Sequence, residues 1–374
     1  MLDVAQLRRH YRQMSFDSIR DQSVAIRLLR NILRRGRVPH GLLFFGPAGV
    51  GKRLAAMEFA KALNCLGRNG EACGACLACR KIDHGNYPDF YQAAPMKKSR
   101  NIDVEAIDEI IEMASLRPFE GKWRVFLIHD ADRMRPPAQN HLLKTLEEPL
   151  GNSVFLLLTE YPQFLLPTIR SRCQRVRFGA LAAATVEGIV RGLRDVSEEE
   201  ARAAALVAQG QVSRALDLVD SEKRSVVLDV AERLQKGEDP LVIAEEFCMY
   251  LQAQRVQAES AAKSELEGRD RGEFSREERE RAKEEQLAHT DALNRRVILD
   301  HLYLLETWYR DALVFGATGD LAKTLNRDRG PLLREAASTG TDEKVRAIGK
   351  ARLYLERFLP EERVFRDLFF TLAS

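Results

Sequence analysis

The stretch that decides the fold is Gly46-Pro47-Ala48-Gly49-Val50-Gly51-Lys52-Arg53. It follows the short apolar run Leu42–Phe45 and precedes Leu54–Leu63, a run of strong helix formers. A buried strand, a glycine-rich loop and a helix N-terminus together direct backbone N–H groups at a phosphate group. The stretch therefore predicts a phosphate-binding loop that Gly46, Gly49 and Gly51 shape and in which Lys52 contacts the phosphates.

The last position of this loop departs from the Walker A pattern. Ser or Thr normally stands there, because its hydroxyl group holds the Mg²⁺ ion of the bound nucleotide. Arg53 stands there in this chain and does not supply that ligand. A chance glycine turn between strand and helix is the alternative interpretation, but the register of the glycines with Lys52 disfavours it. The sequence therefore indicates a nucleotide site that lacks one working part.

A second nucleotide motif follows further along the chain. The apolar run Val125–Ile128 leads through His129 to Asp130, as in a Walker B strand, where the terminal aspartate holds Mg²⁺. A hydrolase also needs a neighbouring carboxylate that orients the attacking water, and Ala131 stands at that position. Asp132 comes next, but a shift of one residue at a strand end reverses the direction of the side chain. Two parts of one reaction are absent together, which predicts that hydrolysis has been lost.

The composition is that of a globular protein. The chain has 374 residues, of which 45% are hydrophobic, so we expect two or three domains. Its net charge of +3 gives no strong overall attraction for nucleic acid. Basic clusters lie at Arg8, Arg9 and Arg12 and at Arg30, Arg34, Arg35 and Arg37. Solvated helix faces explain these clusters most simply, and phosphate contacts stay open. Neither a membrane-spanning apolar run nor a signal-peptide core is found, so we expect a cytoplasmic location.

Strand and helix signals alternate up to about residue 178. Candidate strands are Leu42–Phe45, Phe90–Ala94, Arg124–His129, Val154–Thr159 and Gln174–Phe178. Candidate helices include Val24–Leu33, Ile102–Leu116 and Pro137–Glu147. The alternation predicts an α/β domain whose parallel sheet is covered by helices on both faces.

Beyond Gly179 only helical patterns remain. We expect an α/β domain over residues 1–178, a small helical lid over 179–220 and an all-α domain over 221–374. In the last domain Leu302, Leu305, Trp308, Tyr309 and Leu313 recur at helical spacing. Residues 255–290 carry mixed charge and few apolar side chains, which predicts an exposed helical extension or a disordered insertion.

Four of the six cysteines fall within fifteen residues, at Cys65, Cys73, Cys76 and Cys79. Four thiolates at such short separations fit a tetrahedral Zn²⁺ ion, and metal binding would fold a polar loop that has no apolar stripe. We therefore predict a structural zinc module over residues 65–79. An iron–sulfur cluster uses the same ligands, and unliganded core thiols are the third possibility.

Other cysteine and histidine residues have simpler interpretations. His84 is an alternative fourth ligand or an ordinary loop histidine, whereas Cys173 and Cys248 stand alone and are expected to be buried thiols.

Two motifs carry a resemblance to a known family. Asn140–Pro149, which reads NHLLKTLEEP, and Thr168–Cys173, which reads TIRSRC, resemble the bacterial clamp-loader branch of the AAA+ ATPases. The position of the cysteine module is also similar, and Leu304–Asp311 is similar to the C-terminal collar domain of that branch. The resemblance covers about the first 220 residues and implies a RecA-like AAA+ domain, a helical lid and an all-α collar domain.

Within that branch the losses at Arg53 and Ala131 resemble the delta-prime family, whereas tau/gamma subunits keep the Mg²⁺ hydroxyl group and an Asp-Glu pair. The resemblance implies a clamp-loader subunit of DNA polymerase III that hydrolyses no ATP itself. Its implied partners are the tau/gamma and delta subunits of a hetero-pentamer, the sliding clamp and, through the complex, primed DNA. An active tau/gamma-like ATPase is one alternative, and a free-standing nucleotide-binding or zinc-dependent DNA-binding adaptor is another.

The resemblance also implies roles for single residues. Arg172 matches an arginine finger that acts in trans in a neighbouring subunit, with a surface salt bridge as the alternative. Thr159 matches the first sensor, or else caps a turn. Arg214 matches the second sensor, or else holds domain geometry. Asp21-Gln22 replaces a frequent Gly-Gln beside the adenine pocket, so base binding stays open. Binding of ATP or ADP stays open as well, because Lys52 and the glycines are intact.

Overall fold

The structure is a computed structural model that describes residues 15–67, 70–95, 101–148, 151–267, 276–337, 340–357 and 359–374, without the side chains of 258, 259 and 261–293. Its described residues fall into two compact units. One comprises the described residues up to Val186 together with Gly210–Ser213, and the other comprises Glu187–Gln209 with the described residues from Arg214 to Ser374. The division into three domains at residues 178 and 220 stays a prediction.

The first part of the chain alternates strands with helices. Its elements are α1 (Ser23–Arg35), β1 (Gly41–Phe45), α2 (Lys52–Asn64), α3 (Leu77–His84), β2 (Phe90–Ala93), α4 (Val104–Ser115), β3 (Arg124–Ile128), α5 (Pro136–Glu147), β4 (Ser153–Thr159), α6 (Pro167–Arg172) and β5 (Gln174–Arg177). Short 3₁₀ helices lie at Phe16–Ser18, Ala131–Arg133 and Pro162–Phe164.

The second part is helical throughout its described residues. Its helices are α7 (Ala183–Leu193), α8 (Glu198–Val207), α9 (Val212–Asp220), α10 (Lys223–Gln235), α11 (Pro240–Glu267), α12 (Arg276–Thr318), α13 (Gly330–Ala336), α14 (Thr341–Glu356) and α15 (Glu361–Ala373), with 3₁₀ turns at Leu321–Lys323 and Arg327–Arg329. The predicted α/β region followed by helices is confirmed.

The five strands form one parallel sheet in the order β2-β3-β4-β1-β5. Every residue of β3 and β4 is buried, because helices cover both faces of a parallel sheet and leave no solvated side. In the register, Phe45 at the end of β1 pairs with Thr159 at the end of β4. The carboxyl ends of β1, β3 and β4 therefore lie along one edge of the sheet, where the phosphate loop and the Walker B residues follow.

The loop between α4 and β3 is held by one buried carboxylate. Asp89 accepts hydrogen bonds from the backbone N–H groups of Phe119, Glu120 and Gly121, at 2.7, 2.7 and 2.8 Å, and forms an ion pair with Arg124 at 3.2 Å. Although burial disfavours the charged form, these hydrogen bonds outweigh it and lower the pKa of Asp89. Polar contacts with Asp89 therefore hold this loop against the sheet, and none of its hydrophobic side chains is fully buried.

In the helical unit, Leu302, Leu305, Trp308 and Tyr309 of α12 are buried, as their spacing predicts, whereas Leu313 is 38% exposed. Residues 255–267 and 276–290 of the charged segment are helical, and 268–275 lie outside the described residues. Across the described parts of both units, no helix combines the length and the apolar character that crossing a bilayer requires.

Candidate functional site

The phosphate loop joins β1 to α2 and can only be built with glycine at two positions. Gly46 has φ +143°, and a Cβ atom there would lie 2.1 Å from the carbonyl oxygen of Phe178. Gly49 has φ +66°, and a Cβ atom there would lie 2.3 Å from Oγ of Ser213. The backbone N–H of Val212 also donates to the carbonyl of Gly49 at 3.2 Å. Gly210–Ser213 therefore packs directly on the loop.

Lys52 is buried at the start of α2. Its Nζ donates to the carbonyl oxygens of Gly46 and Pro47 at 2.5 and 2.6 Å. Burial lowers the pKa of Lys52, while the carboxylates of nearby acidic residues favour its charged form; they are Glu160, Asp130 and Asp132. A phosphate group would have to compete with two carbonyl oxygens of the same loop for this ammonium group.

Arg53 is exposed on the first turn of α2, close enough to His129 at the end of β3 for its charge to act on the imidazole ring. Burial lowers the pKa of His129 to about 4, and the positive charge of Arg53 adds to this effect. The imidazole is therefore neutral at pH 7, and its Nε2 lies 3.2 Å from Oε1 of Gln92. Arg53 offers no hydroxyl ligand for Mg²⁺, and its positive charge lies close enough to the end of β3 to act on His129.

The residues after β3 lie beside the end of β4. Asp130 is exposed with φ 45°, and Ala131 is fully buried. Thr159 Oγ1 donates a short hydrogen bond to Asp132 and accepts one from the N–H of Tyr161 at 2.9 Å. Asp132, which the sequence analysis set aside, is thus tied to the end of β4. Thr159 caps a turn, and its role as a sensor stays a prediction.

The Asp21-Gln22 pair connects distant parts of the α/β unit. Asp21 has φ 57°, a left-handed conformation that glycine adopts most easily. The buried side chain of Gln22 donates to the carbonyls of Gly179 and Val50, at 2.8 and 3.3 Å, and accepts from the N–H of Gly179 at 3.0 Å. Gln22 therefore fixes the back of the phosphate loop to the segment after β5, a role that its sequence position did not reveal.

Arg214, the candidate second sensor, lies in the helical unit. Its guanidinium carbon is 3.9 Å from the centroid of the Tyr303 ring, and the Tyr303 hydroxyl group donates to the carbonyl of Val207 at 2.6 Å. A cation–π contact at this distance favours the alternative in which Arg214 holds helices together.

Arg172 is the last residue of α6 and is exposed. Its Nη2 lies 2.6 Å from Oε1 of Glu147, and the two side chains are 38% and 41% exposed. Its Nη1 lies 3.4 Å from the carbonyl of Thr168. Within the chain, Arg172 is therefore in a surface salt bridge. Such a pair contributes about 0–1 kcal/mol, so little free energy holds the guanidinium against another acceptor.

The four clustered cysteines meet around one point. Their Sγ atoms all lie within 4.8 Å of one another, and those of Cys65 and Cys76 are 4.0 Å apart. Sulfur ligands of tetrahedral Zn²⁺ at about 2.3 Å lie about 3.8 Å from each other, so the arrangement fits that ion. The residues are positioned by the end of α2 and the start of α3, which carry Cys65 and Cys79.

Backbone N–H groups support the same arrangement. Those of Gly67 and Cys73 point at Sγ of Cys65, at 3.5 and 3.4 Å, and that of Cys76 points at Sγ of Cys73 at 3.3 Å. Donors around sulfur stabilise thiolates, as a metal site requires. His84 instead contacts the carbonyl of Arg80 and is not part of the cluster.

The two remaining cysteines lie outside the cluster. Cys173 is buried as predicted, and burial raises its pKa to about 12. Cys248 is half-buried, so the expectation that it would be a buried thiol is wrong.

Comparison with known proteins finds relatives of the α/β unit among subunits of DNA polymerase III. Residues 21–182 match a family profile described as DNA polymerase III, delta subunit. The chain is 34% identical over 220 residues to the delta-prime subunit of Bacillus subtilis DNA polymerase III, covering 58% of this chain and 65% of that protein. It is 37% identical over 167 residues to the delta-prime subunit of Pseudomonas aeruginosa, covering 44% and 51%.

A tau subunit is also similar. The identity to DNA polymerase III subunit tau of Escherichia coli is 35% over 223 residues, covering 57% of this chain and 34% of that protein. The chain thus spans less than two thirds of the length of each of these relatives. Among solved structures, a gamma subunit-related protein of Thermotoga maritima superposes with a TM-score of 0.43 and 16% identity, covering 93% of this chain and 98% of that one.

Proposed function

Because residues 21–182 match the profile described as DNA polymerase III, delta subunit, and the chain is similar to delta-prime subunits, we propose that this chain is a clamp-loader subunit of that polymerase. In this role it helps to load the sliding clamp onto primed DNA within a hetero-pentamer of tau/gamma and delta subunits. It hydrolyses no ATP itself and donates Arg172 to the nucleotide site of a neighbouring ATPase subunit. A cytoplasmic location is part of the same proposal.

The observation that carries the proposal is the pair of substitutions at the phosphate site. Arg53 stands where a Mg²⁺ ligand belongs, and Ala131 stands where the water-orienting carboxylate belongs. The positive charge of Arg53, which already acts on His129 at the end of β3, would also oppose a metal ion bound there. Removing one preorganised electrostatic group typically costs on the order of a hundredfold to a thousandfold in rate, and two are missing here.

The loop residues that bind phosphate are intact, so nucleotide binding and hydrolysis are separate questions for this chain. The glycines and Lys52 would hold the phosphates of ATP or ADP, and the bound ATP would not be hydrolysed. The structural Zn²⁺ ion would be held by Cys65, Cys73, Cys76 and Cys79, where it completes the fold of the module; four thiolates leave it no open position for chemistry.

The position of Arg172 supports the proposal that this residue acts in the nucleotide site of a neighbouring subunit. A guanidinium is always charged and presents a planar fork that suits phosphate oxygens, and Arg172 ends its helix in an exposed position. Its pairing with Glu147 holds it near the carboxyl end of α5 at little energetic cost to its release.

The alternative is an active ATPase of the tau/gamma kind, which the similarity to tau subunits favours. One experiment distinguishes the ATPase-inactive loader subunit from the active ATPase. The loader is reconstituted with and without this chain, and clamp-dependent ATPase activity and clamp loading are measured. We expect the isolated chain to be inactive and the complete loader to depend on it. If the chain alone hydrolyses ATP, or if the loader works equally without it, the proposal is wrong.

A further inference from the structure

A groove of about 490 Å³ lies between residues 16–22 and helix α1, and no residue of the phosphate loop lines it. Its charged lining consists of four arginines and two aspartates: Arg20, Arg27, Arg30, Arg34, Asp17 and Asp21. Three of the arginines follow one face of α1 at positions i, i+3 and i+7. At 1.5 Å per residue, Arg27 and Arg34 stand about 10 Å apart along the helix.

Most of this positive charge has no partner within the groove. Arg30 forms ion pairs with Asp17 at 2.6 Å and with Glu71 at 3.0 Å. The carboxylate of Asp21 accepts the backbone N–H of Ala182 at 2.9 Å. The other three arginines are exposed, and among the described residues they form no ion pair; they are Arg20, Arg27 and Arg34. Arg30 thus has its counter-charges, whereas three guanidinium groups face solvent from one groove.

The helix dipole explains the position of only some of these exposed arginines. Arginines in the last turn of a helix interact favourably with its dipole, which suits Arg34 and Arg35 ahead of the C-cap Gly36. Arg20 precedes the helix and Arg27 lies in its first half, where the dipole gives a cation no advantage. Their position beside Arg34 therefore needs another reason.

We propose that this groove binds the phosphodiester backbone of single-stranded nucleic acid. The site is additional to the proposed function and does not depend on it. Guanidinium groups at spaced positions match successive phosphates of a chain. A single strand is flexible enough to place successive phosphates against the exposed arginines that line this groove of about 490 Å³. Among the described residues, Phe16 is the one aromatic residue of the lining and is 4% exposed, so the described lining offers no base-stacking surface, and we expect binding that is independent of sequence.

The test measures binding of fluorescein-labelled oligo(dT) to the full chain by fluorescence anisotropy between about 50 and about 200 mM salt. With three phosphate contacts, the logarithm of the association constant should fall with the logarithm of the salt concentration with a slope of about −2. Changing Arg27→Gln together with Arg34→Gln should reduce that slope to about −0.7 and weaken binding at low salt by about tenfold.

The matched control is Arg357→Gln with Arg363→Gln, which removes the same charge from exposed residues of the helical unit. We expect this variant to bind like the unchanged chain. Equal weakening by both variants, or no weakening by either, would overturn the site. Duplex DNA or polyglutamate that binds with the same dependence on Arg27 and Arg34 would overturn the assignment to a single strand. Circular dichroism confirms that each variant is folded.

Discussion

At the residue scale, two arginines have opposite relations to phosphate chemistry. Arg53 brings a charge to the chain's own phosphate loop, where a metal ion would otherwise be held. Arg172 carries its charge to an exposed helix end, where its guanidinium group contacts Glu147 and the backbone carbonyl group of Thr168. In the proposed function, the first arginine weakens the local site and the second serves a site in a neighbouring subunit.

The finger role of Arg172 is tested by Arg172→Ala in the reconstituted loader. Arginine fingers contribute about 10³–10⁵ in rate at the site that uses them. One of several sites depends on this residue, so we expect total ATPase activity to fall in part and clamp loading to fall further. Arg172→Lys should rescue poorly, because an ammonium group does not reproduce the planar fork. Assembly of the pentamer should be unchanged.

The matched control is Glu147→Gln. This change breaks the same salt bridge and costs about 0–1 kcal/mol of stability, but leaves the guanidinium in place. A merely structural role for the pair would make both variants equally harmful. Loading at the original rate by the Arg172→Ala loader would show that the finger assignment is wrong.

At the element scale, the cysteine module and the loop after α4 are two segments fixed by polar groups. Helices α2 and α3 are joined by a buried network in which Nζ of Lys61 contacts Glu58 and lies 3.0 Å from Asp83. Burial raises the pKa of Glu58 to about 7, although Lys61 opposes this. The module therefore has a second, ionic connection to the helix that begins in the phosphate loop.

For the module, we expect one equivalent of zinc per chain by elemental analysis of anaerobically purified protein. Cys76→Ser should remove the metal and unfold residues around it, because metal binding supplies the folding free energy of such loops. Cys248→Ser changes a lone half-buried cysteine and should leave the zinc content unchanged. An iron–sulfur absorption band would show that the cysteines bind a cluster instead of zinc. A chain that is folded and contains no metal would show that the prediction of a metal site is wrong.

For the loop after α4, Asp89→Asn should destabilise the chain by about 3 kcal/mol, because it leaves Arg124 buried without its counter-charge. Urea unfolding measures this. Glu120→Gln, which removes only the surface contact with Lys81, should cost less than about 1 kcal/mol.

The pH dependence of the Asp89 contribution follows from its depressed pKa. The stabilisation is present above the unfolded-state pKa, near 3.8, and is lost as the pH falls through the lower folded-state pKa. The difference between Asp89→Asn and the unchanged chain should therefore shrink in strong acid. A constant difference down to low pH would contradict the assignment.

The elements that could be predicted from the sequence are those with local causes. All five strands lie within one residue of their expected bounds, because continuous apolar runs such as Val154–Thr159 have few other places in a globular fold. Helix α2 begins earlier than its apolar run, at Lys52, since the glycine loop itself forms its cap. The cysteines met because they are close in the chain.

The contacts that could not be predicted join residues far apart. Thr159 and Asp132 are 27 residues apart, and Gln22 and Gly179 are 157 apart. Nothing in the local pattern around a buried glutamine or an aspartate after a strand identifies such a partner. The same holds for Arg214, whose contact with Tyr303 depends on how two helices pack.

At the scale of the whole molecule, the chain combines a helical unit with an α/β unit whose phosphate loop keeps its glycines and Lys52 but carries Arg53 at its last position. Lys52→Ala tests whether the site is silent. We expect the purified chain to show no ATPase activity above background, and the loader containing Lys52→Ala to keep most of its ATPase activity. Robust turnover by the purified chain that Lys52→Ala abolishes would establish the active alternative. The matched comparison is the same lysine-to-alanine change in a tau/gamma subunit, which should lower the loader's activity.

The order of the strands also governs how this protein emerges from the ribosome. β1 pairs with β4 and β5, whose last residues, Thr159 and Arg177, come more than a hundred residues later. At about 5–20 residues per second, the apolar strand Gly41–Phe45 waits on the order of ten seconds without its neighbours. During that interval its hydrophobic residues and unpaired backbone groups are open to chaperones or to aggregation. Slower translation between residues 45 and 174 should therefore lower the soluble yield of this chain.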